Sequence, residues 1–220
     1  MEQEQKNVLN RFLADNSDLE ELSDQLAAFN VFRSLKIEDV EIRHSNILEW
    51  LFKPNESHQM GDIFLRRIIS NILLESSGSV KEPTSAEIEL MRFTEIEVRR
   101  EWEHIDLLVV DRENKFVLLI ENKNHSEEGG GQLSRYKKAV DQEFPSYAII
   151  PVFLTLEGDA IEDEEAQDFI LYSYAKLLPV LGRILEHRRG QMPEDVGTFL
   201  RHYLDTLRRL TMQDQTLIAC

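Results

Sequence analysis

Two neighbouring stretches decide how this chain is read: Ile105-Asp106-Leu107-Leu108-Val109-Val110 and Phe116-Val117-Leu118-Leu119-Ile120-Glu121-Asn122-Lys123. Both are apolar runs of strand length, joined by the polar turn Asp111–Lys115. Side chains two apart in a strand point to one face, so Glu121 and Lys123 share a face. If the two strands pair as a meander, Asp106 comes near Glu121. An unpartnered carboxylate inside so apolar a strand is costly, so Asp106 calls for a compensating partner. Two carboxylates with a main-chain carbonyl make an oxygen-rich site of the kind that holds Mg²⁺ or Mn²⁺. Such a cation acidifies water and neutralises charge on a phosphoryl oxygen. A lysine beside it can orient the water and stabilise developing charge. Glu-x-Lys alone is a weak signal, because solvated strand ends often read the same way.

Working outward, Phe93, Ile96 and Val98 lie in an earlier strand ending near Trp102. The third strand, Phe116–Lys123, is apolar on both faces at its start and so belongs in the sheet centre. A polar loop with Gly129-Gly130-Gly131 follows, then a helix over Gln132–Phe144 with Leu133, Tyr136, Ala139 and Val140 on one side. Tyr147–Leu154 is a fourth, buried strand, and Asp168–Tyr172 is a candidate fifth. Residues 1–75 read as helical. Val8, Leu9, Phe12 and Leu13 form one amphipathic set, and Leu19, Leu22, Leu26 and Phe29 another. A third helix is expected from His44 or Ser45 to Phe52, stopped by Pro54, and a fourth over Met60–Leu74. Residues 75–86 read as an exposed loop. Two helices, about Ala175–Glu186 and Glu194–Leu210, close the chain.

The 220 residues suit one domain, with a helical part over 1–75, a core over 92–156 and a C-terminal strand and helices over 157–220. Cys220 is the only cysteine, which excludes an intrachain disulfide and fits a reducing, cytoplasmic setting. No stretch reads as a signal peptide or as a membrane span, so no membrane partner is expected. The formal net charge is −16, which argues against binding nucleic acid over the whole surface. Residues 92–156 carry nine Lys/Arg against twelve Asp/Glu, so most of the excess lies on the flanks. The six histidines have no zinc-motif context, and His44 and His58 suit hydrogen-bonded structural roles. Trp50 and Trp102 read as core anchors. Ser45 lacks a nucleophile elbow, and the triple glycine lacks the Lys-Ser/Thr of a phosphate loop.

The stretch Arg100-Glu101-Trp102-Glu103-His104-Ile105-Asp106-Leu107-Leu108-Val109, then Leu119-Ile120-Glu121-Asn122-Lys123, then Gln132-Leu133-Ser134-Arg135-Tyr136, resembles the PD-(D/E)XK nuclease superfamily. It is similar in particular to a bacterial and phage branch with an "IDL…IENK…QL..Y" signature. The upstream stretch Glu41–Phe52 with Pro54, His58 and Gly61 is similar to the same branch. The resemblance spans about residues 38–156 and lies in the ordered combination. It departs from the pattern at Ile105, where a proline would precede Asp106.

The resemblance implies an α/β, restriction-endonuclease-like core: a helix, a three-strand antiparallel meander, a helix and a strand, here with helical additions at both ends. It implies Asp106 and Glu121 as metal ligands, Lys123 as the catalytic lysine, and Gln132 as the polar residue opening the next helix. Glu41 matches an acidic residue from the N-terminal helix, with Glu49 as the competing candidate. The implied activity is Mg²⁺- or Mn²⁺-dependent hydrolysis of nucleic acid, DNA first. The alternative is a non-catalytic module of the same fold that binds nucleic acid or protein. Arg135, Lys137 and Lys138, just beyond Gln132, are the expected phosphate contacts.

Overall fold

A computed structural model describes residues 28–76, 83–123, 131–158, 161 and 166–218. The two helices expected before Phe29 therefore lie outside the described residues, apart from Phe29 itself. The elements are α1 (Val31–Ser34), α2 (Glu41–Phe52), α3 (Ile63–Glu75), α4 (Ser85–Leu90), β1 (Ile96–Trp102), β2 (Ile105–Asp111), β3 (Phe116–Asn122), α5 (Gln132–Glu143), β4 (Ala148–Thr155), β5 (Ile170–Ser173), α6 (Tyr174–His187) and α7 (Glu194–Ile218). The strands form one sheet in the order β1-β2-β3-β4-β5. The first three are antiparallel, and β3-β4 and β4-β5 are parallel. The parallel β3-β4 pair is joined through α5, as a crossover connection requires.

Every residue of β3 is buried, as its two-faced apolar start predicts for a central strand. Leu107, Val109, Leu118 and Ile120 point into the larger core with α2, α3, α6 and α7. Leu108, Val110, Val117 and Leu119 point the other way, to Leu133, Tyr136 and Val140 of α5. The β1-β2 turn is two residues long. Glu103 and His104 both adopt left-handed backbone, the geometry that matches strand twist in a tight hairpin, and they deliver Asp106 at the start of β2.

Several boundaries differ from the sequence reading, four of them for a visible reason. β1 begins at Ile96, not near Phe93, because β2 ends at Asp111 and offers no partner beyond it. The Asp111 carboxylate closes that end by accepting from the amides of Glu113 and Asn114, both at 2.9 Å. The Phe93 amide instead donates to Asp62, at 3.2 Å. α2 begins at Glu41, one turn before His44, with no side-chain cap at Val40. The end of the expected 75–86 loop opens α4, where Thr84 and Glu87 form a capping box. α7 runs on to Ile218, two turns past Leu210. Among the described residues, no helix is long and apolar enough to cross a membrane. Trp50 and Trp102 are half-buried against the larger and smaller cores.

Candidate active site

The register Leu107↔Ile120 places Asp106 directly opposite Glu121. Both therefore stand on the α5 face of the sheet, at the strand end where the apolar packing stops. Glu121 is 2% exposed, and Asp106 is half-buried. Their carboxylates are held differently. Asp106 Oδ2 accepts the main-chain amide of Asn122 at 2.8 Å. Glu121 Oε1 accepts from Gln132 Nε2 at 2.9 Å and lies 3.3 Å from Lys123 Nζ. Glu121 Oε2 is buried, and among the described residues no hydrogen-bond partner meets it.

Each supporting group comes from a defined element. Gly131, with φ of +72°, adopts the left-handed backbone that starts α5, a conformation a side chain would strain. That entry brings Gln132, the first residue of α5, over Glu121. Gln132 is itself steadied by Tyr136 one turn on, whose hydroxyl accepts from Nε2 at 2.7 Å. Lys123 follows β3 directly, and its amide donates to Leu154 O of β4 at 2.8 Å.

Burial raises the Glu121 carboxyl from its ordinary value to about 8, with the Asp106 charge adding to the shift and Lys123 opposing it. Asp106 is also raised, chiefly by burial, against the Asn122 amide and the Lys123 charge. Carboxylates of Glu101 and Glu41 push it further up. Lys123 is raised even though its burial works the other way, because Glu121, Glu41 and Asp106 all favour the ammonium. Two facing carboxyls resist ionising together in a buried site, and a cation between them would relieve that.

These donors fit a hard divalent cation. The partnerless Glu121 Oε2 beside Asp106 offers oxygens and no soft ligand. Among the described residues, no group of three or more His, Cys, Asp and Glu side chains is gathered, so main-chain carbonyl and solvent oxygens would complete the shell. His44 and His58 are buried and hydrogen-bonded, to Glu38 O and Lys53 O respectively, each at 2.9 Å. Burial lowers both pKa values.

Glu41 and Glu49, the competing acids of α2, separate cleanly. Glu41 opens the helix, and its charge acts on both Asp106 and Lys123. Glu49, two turns on, pairs with Lys53 at 2.6 Å and lies 3.9 Å from Arg100. The three basic residues of α5 differ in burial. Arg135 and Lys138 are exposed and share a helix face. Lys137 is half-buried and already paired with Asp141 and Asp168, at 3.3 and 3.2 Å.

The sequence reading missed Asn122. It is fully buried, on the face opposite its neighbours Glu121 and Lys123. Its Nδ2 donates to Ser45 Oγ at 3.0 Å and to Glu41 O at 3.2 Å, and its Oδ1 accepts from Tyr174 at 3.0 Å. The one available signal was a carboxamide next to the two charged residues of a buried strand.

Comparison with curated proteins and with solved structures returned no match. A family model does match, over residues 29–215, which takes in the whole described sheet, the Asp106–Glu121 pair, Lys123 and both helices that flank them. With most of its length aligned to that model and the expected meander–helix–strand core in place, the chain belongs to the PD-(D/E)XK nuclease superfamily.

Proposed function

We propose that this protein hydrolyses phosphodiester bonds of nucleic acid, with DNA as its first substrate, at the Asp106–Glu121–Lys123 strand end. The observation that carries the reading is the buried Glu121 opposite Asp106, whose Oε2 meets no hydrogen-bond partner among the described residues, with Lys123 3.3 Å from the other oxygen. Asp106 and Glu121 would hold Mg²⁺ or Mn²⁺. When bound, that ion supplies positive charge to the phosphoryl oxygens and lowers the pKa of water.

The chain's own residues do the rest. Gln132 fixes the Glu121 carboxylate through Oε1 and leaves Oε2 for the ion. Lys123 stays an ammonium, because three carboxylates favour its charge, so it acts as an electrostatic and hydrogen-bonding group rather than as a base. It would orient the attacking water and stabilise the added negative charge on the phosphate. Glu41 would add a third negative charge, since its carboxylate already acts on both Asp106 and Lys123. Arg135 and Lys138 would take the nucleic-acid backbone along the exposed face of α5, giving a local foothold on a chain whose net charge is −16.

The test is a panel of labelled single- and double-stranded DNA and RNA, incubated with Mg²⁺ or Mn²⁺ beside Lys123→Ala. Cleavage by the wild type and its collapse in the variant is the expected result. A wild type that cut none of the four substrates with either metal would overturn the hydrolase in favour of a binding module of the same fold.

A further inference from the structure

The face of the sheet behind the site holds a buried polar chain with no counterpart among the charged groups in front. His44 Nε2 lies 2.9 Å from Glu38 O, and its Nδ1 lies 3.2 Å from the Tyr203 hydroxyl. Tyr174 donates to Asn122 Oδ1, and the His44 ring packs on both tyrosines, its centroid 5.5 Å from that of Tyr174 and 5.7 Å from that of Tyr203. Asn122 Nδ2 then donates to Ser45 Oγ and to Glu41 O. Five side chains from α2, β3, α6 and α7 take part, and all are buried.

The amide orientation of Asn122 is settled by these partners. A flip would set its oxygen against Glu41 O, which can only accept. α2 has no side-chain cap at Val40, and the Glu41 carbonyl and Ser45 hydroxyl of its first two turns both accept from the Asn122 carboxamide. The two residues flanking Asn122 are Glu121 and Lys123. A single carboxamide thus connects the strand end carrying the site to the main chain of Glu41.

We propose that Asn122 is a positioning residue: it ties the first turn of α2 to β3, and through that tie it sets where the Glu41 carboxylate stands relative to Asp106 and Lys123. Tyr174 orients the carboxamide, and Tyr203 and His44 brace Tyr174 from behind. The role rests on the metal-site reading above, but its mechanical part, the tie to α2, is independent of it.

The experiment combines Asn122→Ala and Glu41→Gln in a double-mutant cycle, read by calorimetric titration with Mn²⁺ and by amide hydrogen exchange of the metal-free protein. Asn122→Ala should weaken Mn²⁺ binding by about tenfold, the scale for losing support behind a metal ligand set. In the Glu41→Gln background the same change should cost less than about twofold, because its route is gone. Exchange at Arg43, His44 and Ser45 should quicken by about tenfold while Ile68–Ile72 of α3 stays slow.

Equal loss of Mn²⁺ affinity in both backgrounds, or equal acceleration in α3, would overturn the proposal and leave Asn122 a general packing residue. Should Asn122→Ala fail to fold, Tyr174→Phe removes only the orienting hydroxyl, and the same criterion applies to it with a smaller loss of about threefold. A wild type that binds Mn²⁺ but cuts nothing ends the nuclease reading and leaves the cycle valid. A wild type that binds no Mn²⁺ ends the metal-site reading, and exchange at Arg43–Ser45 then decides the tie alone.

Discussion

Glu121 and Asn122 are consecutive residues of one central strand, both buried, yet they sit in opposite electrostatic regimes. On the α5 face, Glu121 confronts Asp106, its pKa is driven up to about 8, and one of its oxygens has no partner. On the α2 face, Asn122 uses its side-chain nitrogen twice and its oxygen once, in a neutral chain of hydrogen bonds. Neutral buried groups can be satisfied by geometry alone, whereas a buried anion pair needs a counter-charge. The front face thus sets two carboxyls against one ammonium, Lys123, whereas the back face is satisfied by hydrogen bonds between neutral groups.

The largest effect should come from removing a charge on the front face. Lys123→Ala should reduce cleavage by roughly a hundredfold or more, the usual scale for one preorganised electrostatic group. Its fold should survive, since Lys123 lies at the strand end with an 18% exposed side chain. Asp106→Asn and Glu121→Gln should each abolish the Mn²⁺ site seen by calorimetry. Binding of Mn²⁺ by both at wild-type strength would place the metal elsewhere.

Next comes the back face, where the currency is stability. Asn122→Leu leaves the Tyr174 hydroxyl and Ser45 without their partner, and should cost about 1–3 kcal/mol in urea denaturation. A neutral result there would mean that the chain relaxes around the gap.

The pH dependence separates the two faces directly. The folded pKa of Glu121 lies above its ordinary value, so the folded chain binds more protons than the unfolded chain between the two. Stability contributed by this group is therefore full below about pH 4 and is lost as pH rises through about 8, in the presence of a chelator. Glu121→Gln should flatten that decline, and added Mn²⁺ should raise Tm more at pH 8 than at pH 5.5, because the ion needs the ionised pair. A metal-free Tm that climbs between pH 5.5 and 8 in the wild type alone would contradict this electrostatic picture.

The smallest effect is expected on the exposed face of α5. Replacing Arg135 and Lys138 with Ala should weaken DNA binding and reduce the salt slope by about one unit per lost phosphate contact. Lys137→Ala should change the slope less, because Asp141 and Asp168 already occupy its ammonium. Identical slopes for all variants would assign these residues to a solvated helix face.

Much of this was legible along the chain, for a reason of scale. Strand alternation has a period of two, so the two apolar runs and a short polar turn were enough to pair β2 with β3. From that pairing the facing of Asp106 and Glu121 follows, whereas Gln132 was implied by the resemblance and the structure sets it at the start of the helix that crosses the same face to a parallel β4. The Thr84–Glu87 capping box was equally local and could have been read from its spacing. Glu41 against Glu49 was not local. Both are acids on one helix, and what separates them is that Glu49 meets Lys53 and Arg100 while the Glu41 charge acts on Asp106 and Lys123.

The start of α2 was hidden for the same reason. No side chain caps it at Val40, and the carboxamide that meets its first carbonyl is Asn122, 81 residues away. The other partners of Asn122 lie 77 and 52 residues off, on separate helices. Spacing rules act within a turn or a strand pair, so they locate charged groups that a short apolar element brings together. A buried carboxamide has no preference of its own until three elements close around it, and its role exists only once the packing of α2 and α6 against β3 has chosen its partners.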